Sequence, residues 1–297
     1  NRFDGLNCIN FRSTACEKNG LTGTLFLNIL EDKNSNLWIG SNAGLNLYVR
    51  SLDKFQNFRI EGRGNDERFY SPFYIDDKNN IWIQSGSSIY IFNPATKTFT
   101  SLDHFFSPGN LIVKPSLGGL FQPLQKIYVI YNNQPTLWEG HISGEKINWQ
   151  ATKLSVPATK ILSVLQTANT DFWFGTDSGL FLYQNNKQRH CIKRFAGIEI
   201  KNVSVLHLDQ KGMLWAGTNQ QGLFTIDTAL AKVKNHYDHS VYNSYALSGN
   251  QIQYVASDDK GDLWVSVWGK GVDFTSLNRF RFNQNVTKEE ADQSDRP

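Results

Sequence analysis

One short motif recurs about every 45 residues along this chain: an acidic residue, a polar turn, then Leu-Trp-Ile-Gly or a close variant. A fixed period of this length with one tryptophan per unit is typical of propellers and other repeat arrays. The clear copies of the motif occupy residues 32–49, 76–92, 171–183, 209–226 and 258–274. The repeat therefore constrains the fold more tightly than any single motif in the sequence.

Each unit reads as four short antiparallel strands. In residues 25–60, runs rich in β-forming residues are separated by turns of Asp, Asn, Ser and Gly, and helical periodicity is almost absent. Four such strands make one propeller blade. The sequence therefore predicts an all-β protein, a β-propeller of four-stranded antiparallel blades.

The tryptophans set the register of the blades. Five of them occupy the same place in their units, namely Trp38, Trp82, Trp173, Trp215 and Trp264. A degenerate unit with Tyr128 in that place fills the gap between the second and third of these. The repeat thus predicts complete blades at about 20–60, 67–102, 110–150, 160–195, 201–240 and 250–285, followed by a polar tail or linker at 286–297.

The first residues decide the expected number of blades. Residues 1–15 align with the back half of the blade at 20–60, so we interpret them as the third and fourth strands of an incomplete blade. We therefore expect a seven-bladed propeller whose first blade is incomplete in this chain. The alternative is a six-bladed ring with an additional hairpin.

Charge and motif content exclude several function classes. The chain carries 30 basic and 27 acidic residues, a net charge of +3, which is too balanced to indicate a nucleic acid partner. There is no Gly-rich phosphate loop, Gly-x-Ser-x-Gly elbow or zinc-finger spacing. The cluster of His236, Asp238 and His239 is weak evidence for a metal. We expect no cofactor, no metal and no catalytic residues.

The unit at 29–48, Ile-x-Glu-Asp-x-x-x-Asn-Leu-Trp-Ile-Gly-Ser-x-x-Gly-Leu-Asn-x-Tyr, resembles the two-component regulator propeller repeat. That repeat builds the periplasmic sensor region of hybrid two-component systems in gut bacteria. The opening Asn-Arg-Phe-Asp-Gly-Leu-Asn is similar to a first-blade phrase of those sensors. The resemblance covers nearly the whole chain and is weakest at 110–150.

This resemblance implies a function and a set of partners. It implies a periplasmic, non-enzymatic propeller that senses an oligosaccharide and passes the signal across the membrane. The partners it implies are a further propeller and a β-sandwich domain of the same receptor, with a homodimer as the working form. Kinase activity would reside in a cytoplasmic part of such a receptor, because this chain carries no kinase motifs.

The in-register tryptophans are predicted to be structural blade core rather than a sugar-binding set. A large ring at one position of every blade suits packing between blades, where we expect its indole N–H to find a partner. An aspartate stands six residues before four of them, at Asp32, Asp76, Asp209 and Asp258. Because Asp bonds to nearby backbone groups, these side chains are expected to hold the hairpin turns.

Candidate ligand-binding residues lie in two sets of loops, which are expected to share one face of a propeller. The loops between second and third strands contribute Asn42, Ser87, Asp177, Asn219, Gln220, Trp268 and Lys270. Trp268 is the strongest candidate, because an exposed ring beside Lys270 suits a sugar face. The loops between blades contribute Arg63, Arg68 and Tyr70, which would suit a carboxylate or sulfate, with Tyr242 and Tyr245. The alternative interpretation is that these side chains are solvated surface, and that Trp268 only covers a channel mouth.

Three functions follow from the sequence. The first is a ligand-sensing propeller of a hybrid two-component receptor. The alternatives are a scaffold for protein–protein interaction, and a polysaccharide lyase or glycosidase that needs two carboxylates in one cleft. Converging Arg, Asn, Tyr and Trp side chains favour sensing, paired carboxylates favour catalysis, and a flat apolar face favours a scaffold.

Overall fold

A computed structural model describes the parts of the chain that carry the repeat. These are residues 2–3, 8–9, 11, 20–60, 69–86, 88–102, 111–115, 125–143, 146–154, 158, 160–168, 171–185, 187–243, 245–258 and 260–276. They fall into two compact units. The first comprises Asn1–Asn132 with Leu137–Thr152, and the second comprises Asn133–Thr136 with Lys153–Pro297.

The first unit contains one short hairpin and three four-stranded antiparallel sheets. The hairpin pairs β1 (Arg2–Phe3) with β2 (Cys8–Ile9). The sheets are β3 (Phe26–Glu31), β4 (Leu37–Ser41), β5 (Gly44–Val49) and β6 (Lys54–Phe58); β7 (Tyr70–Ile75), β8 (Ile81–Ser85), β9 (Ser88–Asn93) and β10 (Thr98–Ser101); and β11 (Leu111–Pro115), β12 (Lys126–Tyr131), β13 (Thr136–Ser143) and β14 (Lys146–Lys153). In each sheet the strands neighbour one another in chain order.

The second unit repeats the same architecture. Its blades are β15 (Ile161–Ala168), β16 (Asp171–Thr176), β17 (Gly179–Gln184) and β18 (Lys187–Ile192); β21 (Val203–Leu208), β22 (Met213–Thr218), β23 (Leu223–Asp227) and β24 (Lys232–Tyr237); and the three-stranded β25 (Ile252–Ser257), β26 (Leu263–Val267) and β27 (Gly271–Thr275). A small hairpin, β19 (Arg194–Phe195) with β20 (Ile198–Glu199), separates the first two blades.

The described ranges contain no helix that is long and apolar enough to cross a membrane.

The fold is an all-β propeller of four-stranded antiparallel blades, and the described residues form six blade sheets. The expectation of seven blades is therefore wrong, and the six-bladed alternative matches. The physical reason is that β1 and β2 pair only with each other among the described strands, so they form an additional hairpin instead of half a blade. The fourth strand predicted for the last blade, up to residue 285, lies outside the described residues, as does the tail at 286–297.

Each aspartate of the repeat closes a turn and also holds a tryptophan. Asp32 Oδ1 accepts the backbone N–H groups of Asn34 and Asn36, both at 2.9 Å, and Oδ2 accepts the Trp38 indole N–H at 3.2 Å. The same Oδ2–indole bond joins Asp76 to Trp82 at 3.2 Å, Asp209 to Trp215 at 2.9 Å and Asp258 to Trp264 at 3.2 Å. The predicted turn role of the aspartates is confirmed. The prediction that the indole partner lies between blades is wrong for these four, because the partner belongs to the same blade.

The tryptophan rings themselves pack toward the following blade. Trp38 is 1% exposed and shares a core cluster with Ile75, Ile81 and Ile83 of the next sheet. Trp215 is also 1% exposed and lies in a cluster with Ile252. Trp82 and Trp173 are buried in the same way, and Trp264 in the three-stranded blade is only partly buried. One residue type therefore joins the turn of its own blade to the core of its neighbour.

Glycine two residues after the tryptophan permits the close approach of the next blade. A Cβ atom at Gly40 would overlap the carbonyl oxygen of Tyr70 in β7, and one at Gly175 would overlap that of Val203 in β21. A Cβ at Gly217 would lie 2.6 Å from Ile252 Cγ2. The Trp-x-Gly spacing is thus a packing requirement, since backbone oxygens cannot give way as a flexible side chain can.

Replacing Asp76 by Ala is expected to destabilise the protein by about 2–4 kcal/mol. The change removes an acceptor of backbone N–H groups and leaves the buried Trp82 indole N–H without its partner. The free energy of unfolding is measured by chemical denaturation. Asp77→Ala, at the exposed neighbouring position, is the matched control and is expected to change stability by less than about 0.5 kcal/mol. Equal losses in both variants would contradict the role assigned to Asp76.

Replacing Gly40 by Ala is expected to cost on the order of 3 kcal/mol, because the added methyl group meets the backbone of the next blade. Thermal unfolding measures the loss. Ser266→Ala is the control, since Ser266 occupies the equivalent place after Trp264 and already carries a side chain. A Gly40→Ala variant as stable as the control would show that the blades can separate without cost.

Candidate functional site

One edge of the second unit is held by backbone hydrogen bonds within blades and between blades. Within blades, the Asn219 N–H donates to the carbonyl of Asn202 at 3.1 Å, and the Trp268 N–H donates to that of Gln251 at 2.9 Å. Between the blade of β22 and that of β26, the Gly222 N–H donates to the carbonyl of Asn250 at 2.9 Å. We call this edge the loop edge and define it by residues 177–179, 199–202, 218–222, 238–243, 245–251 and 268–270. It carries the loops from which the sequence predicts ligand binding.

Trp268 and Lys270 stand at the tip of the β26–β27 hairpin on the loop edge. The Trp268 side chain is 64% exposed, and Lys270 is exposed beside it. The Lys270 N–H donates to the Val267 carbonyl at 3.2 Å, which closes the turn. The hairpin also packs close to the preceding loop, since a Cβ atom added at Gly249 would lie 3.5 Å from Lys270 Cγ. A rigid turn thus presents an open aromatic face next to a cation.

Two hydrogen bonds close the base of the connection before β25, and two tyrosines project from it. The His239 N–H donates to Asn250 Oδ1 at 2.7 Å, and His239 Nδ1–H donates to the Leu247 carbonyl at 2.7 Å. Leu247 is fully buried, whereas Tyr242 and Tyr245 are 97% and 50% exposed. The base of the loop is therefore part of the core, and its tip offers aromatic surface.

Asn219 and Gln221 act within the loop edge as structural ties. Asn219 Oδ1 accepts the Ser204 hydroxyl at 2.8 Å, so part of its hydrogen-bonding capacity is used. Gln221 Oε1 accepts the Lys201 N–H at 2.8 Å, and Nε2 donates to the Glu199 carbonyl at 2.5 Å. Gln221 is not among the residues predicted from the sequence, because its role depends on the hairpin β19–β20 lying beside it.

The structure places Tyr70 in the core and not on a binding surface. Its side chain is 8% exposed, its hydroxyl accepts the Ile60 N–H at 3.1 Å, and its ring contacts Phe99. The assignment of Tyr70 to ligand binding is therefore corrected, because tertiary packing covers the start of β7. Arg63, Arg68 and Ser87, which were predicted with it, lie outside the described residues.

Asn42 is another loop residue whose side chain serves the backbone. Its Oδ1 accepts the N–H groups of Thr24 at 2.9 Å and Leu25 at 3.2 Å, so it fixes the entry to β3.

In the described ranges no group of three or more His, Cys, Asp and Glu side chains is arranged to hold a metal ion. His236 Nε2–H instead donates to the Gln221 carbonyl at 2.6 Å, and its ring stacks on Phe224.

A buried carboxylate accepts a hydrogen bond from the backbone of the loop edge. Asp273, in β27, is 1% exposed, and its Oδ2 accepts the Ser248 N–H at 2.8 Å. Asn46 occupies the corresponding place in β5 and accepts the Thr22 N–H at 2.9 Å. Burial raises the pKa of Asp273, although the hydrogen bond from Ser248 and the proximity of His239 oppose this shift.

Asp273→Asn is expected to be at least as stable as the wild type at pH 7. A raised pKa means that the folded state binds the proton more readily than the unfolded chain, so the wild type gains stability as pH falls toward about 4. The variant does not titrate there, and its amide can accept from Ser248 as Asn46 accepts from Thr22. Chemical denaturation between pH 4 and 7 should show the variant's advantage shrinking on acidification. An advantage that grows on acidification would contradict the assignment.

The comparisons with known proteins agree with this architecture. The family model described as two component regulator propeller matches residues 20–43. A search of curated proteins gives no match. The residues that carry the sequence resemblance therefore include a two-component regulator propeller repeat, and the resemblance is confirmed.

Solved structures with the same fold include two kinds of protein. The extracellular domain of a one-component or hybrid two-component system from B. thetaiotaomicron is 19% identical, with TM-scores of 0.53 and 0.52 in two structures. The alignments cover 90% and 89% of this chain but only 40% and 39% of that domain, so the chain spans well under half of its length. A streptogramin B lyase (11% identity, TM-score 0.66, 91% and 87% covered) and virginiamycin B lyase from Staphylococcus aureus (10%, 0.65, 89% and 85%) share the fold alone. The chain is thus a propeller that contains a repeat similar to the two-component regulator propeller and shares its fold with the extracellular domain of a two-component system.

Proposed function

We propose that this chain is the ligand-sensing propeller of a hybrid two-component receptor and that it recognises an oligosaccharide at its loop edge. The match to the regulator propeller repeat and the likeness to an extracellular domain of a hybrid two-component system support a propeller sensor. The proposed location is the periplasm, as the extracytoplasmic part of an inner-membrane protein. The class of ligand is inferred from the chemistry of the loop edge.

The exposed ring of Trp268 is the observation that carries the oligosaccharide proposal. Sugar rings present C–H-rich faces that stack on exposed aromatic side chains, and polar neighbours then fix the orientation. Lys270 lies on the same turn and can contact a hydroxyl or acidic group, while Tyr245 on the adjoining loop offers a second aromatic surface. Backbone bonds hold these turns before any ligand arrives, which lowers the entropic cost of binding.

Signalling would follow from selective binding. A ligand that contacts the loop edge better in one arrangement of the receptor than in another shifts the populations of the two arrangements. The signal crosses the membrane only if other parts of the receptor also change between these two arrangements. We therefore propose further propeller and β-sandwich domains of the same receptor as partners, and a homodimer as the signalling form.

The enzymatic alternative has weaker support. The lyases are 10–11% identical to this chain, and such likeness carries only the fold. Catalysis would need two available carboxylates, but Asp273 is buried and accepts a hydrogen bond from the backbone, and Glu199 Oε1 and Oε2 are ion-paired with Arg194 and Lys201.

The scaffold alternative is supported by one specific observation. The side chain of Tyr242 is 97% exposed, which suits contact with a protein.

The test is a thermal-shift screen of the chain against neutral and acidic oligosaccharides, with Trp268→Ala alongside. A ligand that binds only the folded state stabilises it by about 2.7 kcal/mol at a hundredfold excess over its dissociation constant. We expect a shift for one glycan class that is lost in Trp268→Ala, without any product formed.

Leu230→Ala provides the control for that screen. Leu230 is 62% exposed, and its turn between β23 and β24 lies at the opposite edge of the blade, where Thr228 Oγ1 donates to the Gly212 carbonyl. This variant should keep the full shift. Loss of the shift in both variants would contradict a site at Trp268, and product formation would favour the lyase or glycosidase alternative.

A further inference from the structure

The outermost strand of the fourth blade, β18, carries a row of exposed cations. Residues 187–194 contain four Lys and Arg side chains, one His and no acid, a formal charge of +4 in a chain whose net charge is +3. Lys187 through Cys191 are all exposed, as are Lys193 and Arg194. We call the set Lys187, Arg189, His190, Lys193 and Arg194 the basic strip. Strand geometry spreads it over about 20 Å.

These cations are not neutralised by the protein around them. Within the described part of the chain, Lys187, Arg189 and Lys193 form no ion pair. Arg194 Nη2 contacts Glu199 Oε1 at 2.7 Å, and Lys201 Nζ contacts Oε2 at 2.6 Å. Hydrogen bonds from Lys201 and Arg194 lower the pKa of Glu199 to about 2, so this single carboxylate serves two cations and leaves an excess of positive charge.

The fifth blade shows the same backbone arrangement, but one of the two lysines on its outer strand is paired with an acid. In β18 the pairing with β17 slips by one residue, so Arg189 lies in a bulge, and in β24 Lys234 lies in the equivalent bulge. Lys234 Nζ contacts Asp227 Oδ2 at 3.0 Å, whereas the residue corresponding to Asp227 in the fourth blade is Gln184. The excess of positive charge without an acidic partner is therefore greater on the outer strand of the fourth blade than on that of the fifth.

We propose that the basic strip binds an acidic polysaccharide, a chain that carries sulfate or carboxylate groups along its length. Arg and Lys side chains bind such groups through charge-assisted hydrogen bonds. Spaced cations on an extended strand can follow a linear polyanion over several repeats. This inference goes beyond the proposed function, because it concerns a different surface and does not depend on Trp268.

Two other linear polyanions fit the strip less well. An acidic peptide would add a strand to the free edge of β18, but bulges and lysines along an edge hinder that pairing. Single-stranded nucleic acid is held largely by large aromatic side chains on which the bases stack, and residues 187–194 contain no Phe, Tyr or Trp. A polysaccharide needs neither the backbone edge nor a stacking platform, so its acidic groups can be held by side chains alone.

The test measures binding of the chain to dextran sulfate at 50 and 150 mM salt by surface plasmon resonance, with uncharged dextran as the reference polymer. We expect binding to the sulfated polymer alone, with weaker binding at the higher salt. Lys187→Glu/Arg189→Glu should weaken binding by about tenfold or more, since it removes two contacts and adds repulsion. The control Lys232→Glu/Lys234→Glu makes the same change of charge on β24 and should alter binding by less than about twofold.

The remaining outcomes decide against the proposal. Absence of binding at 50 mM salt, or equal losses in the two double variants, would show that the strip is only a solvated edge. Equally tight binding of polyglutamate or single-stranded DNA would overturn the assignment to polysaccharide. Circular dichroism checks that the variants fold, and Lys187→Gln/Arg189→Gln replaces the first variant if it does not. Trp268→Ala should keep full binding, so failure of the oligosaccharide site and failure of the strip are separable.

Discussion

The hydrogen bond from a tryptophan indole to an aspartate six residues earlier organises every blade in which it occurs. One carboxylate satisfies two backbone N–H groups of the turn and the indole N–H, so it fixes the hairpin and the ring together. The ring can then be buried against the next blade without an unsatisfied polar group, which would otherwise cost about 1–3 kcal/mol. Local turn chemistry and packing between blades are therefore coupled through a single side chain.

The same coupling explains where the structure tolerates variation. Positions that face the neighbouring blade admit little change, as shown by Gly40 and Gly175, which stand two residues after their tryptophans and lie against backbone carbonyl oxygens of the next blade. The loop edge and the outer strands are free of that constraint, so they can carry Trp268, the tyrosines of the connection before β25, and the basic strip. Function in this protein is thus expected at the edges and outer surface of a scaffold whose blade geometry repeats.

Much of the fold could be predicted because the repeat is periodic. The first strand of each of the six blades begins within six residues of the predicted start of that blade, and the aspartates hold their turns as expected. The number of blades was predicted wrongly, since residues 2–3 and 8–9 align with the end of a blade in sequence but pair with each other as a separate hairpin. Tyr70 was assigned to a binding surface for a similar reason: its burial depends on Ile60 and Phe99, which the local sequence does not place beside it.

The sequence by itself determined the class of fold, the register of the blades and the residues that carry the aromatic core. These follow from short-range rules, namely turn chemistry and an alternation of apolar residues that repeats with the blade. Only the tertiary structure decided that Trp268 stays exposed, that Gln221 ties two loops together, and that β18 lacks an acid such as the one that pairs with Lys234 of β24. Exposure, cross-loop hydrogen bonds and charge balance depend on which distant residues meet, and that is a property of the folded chain.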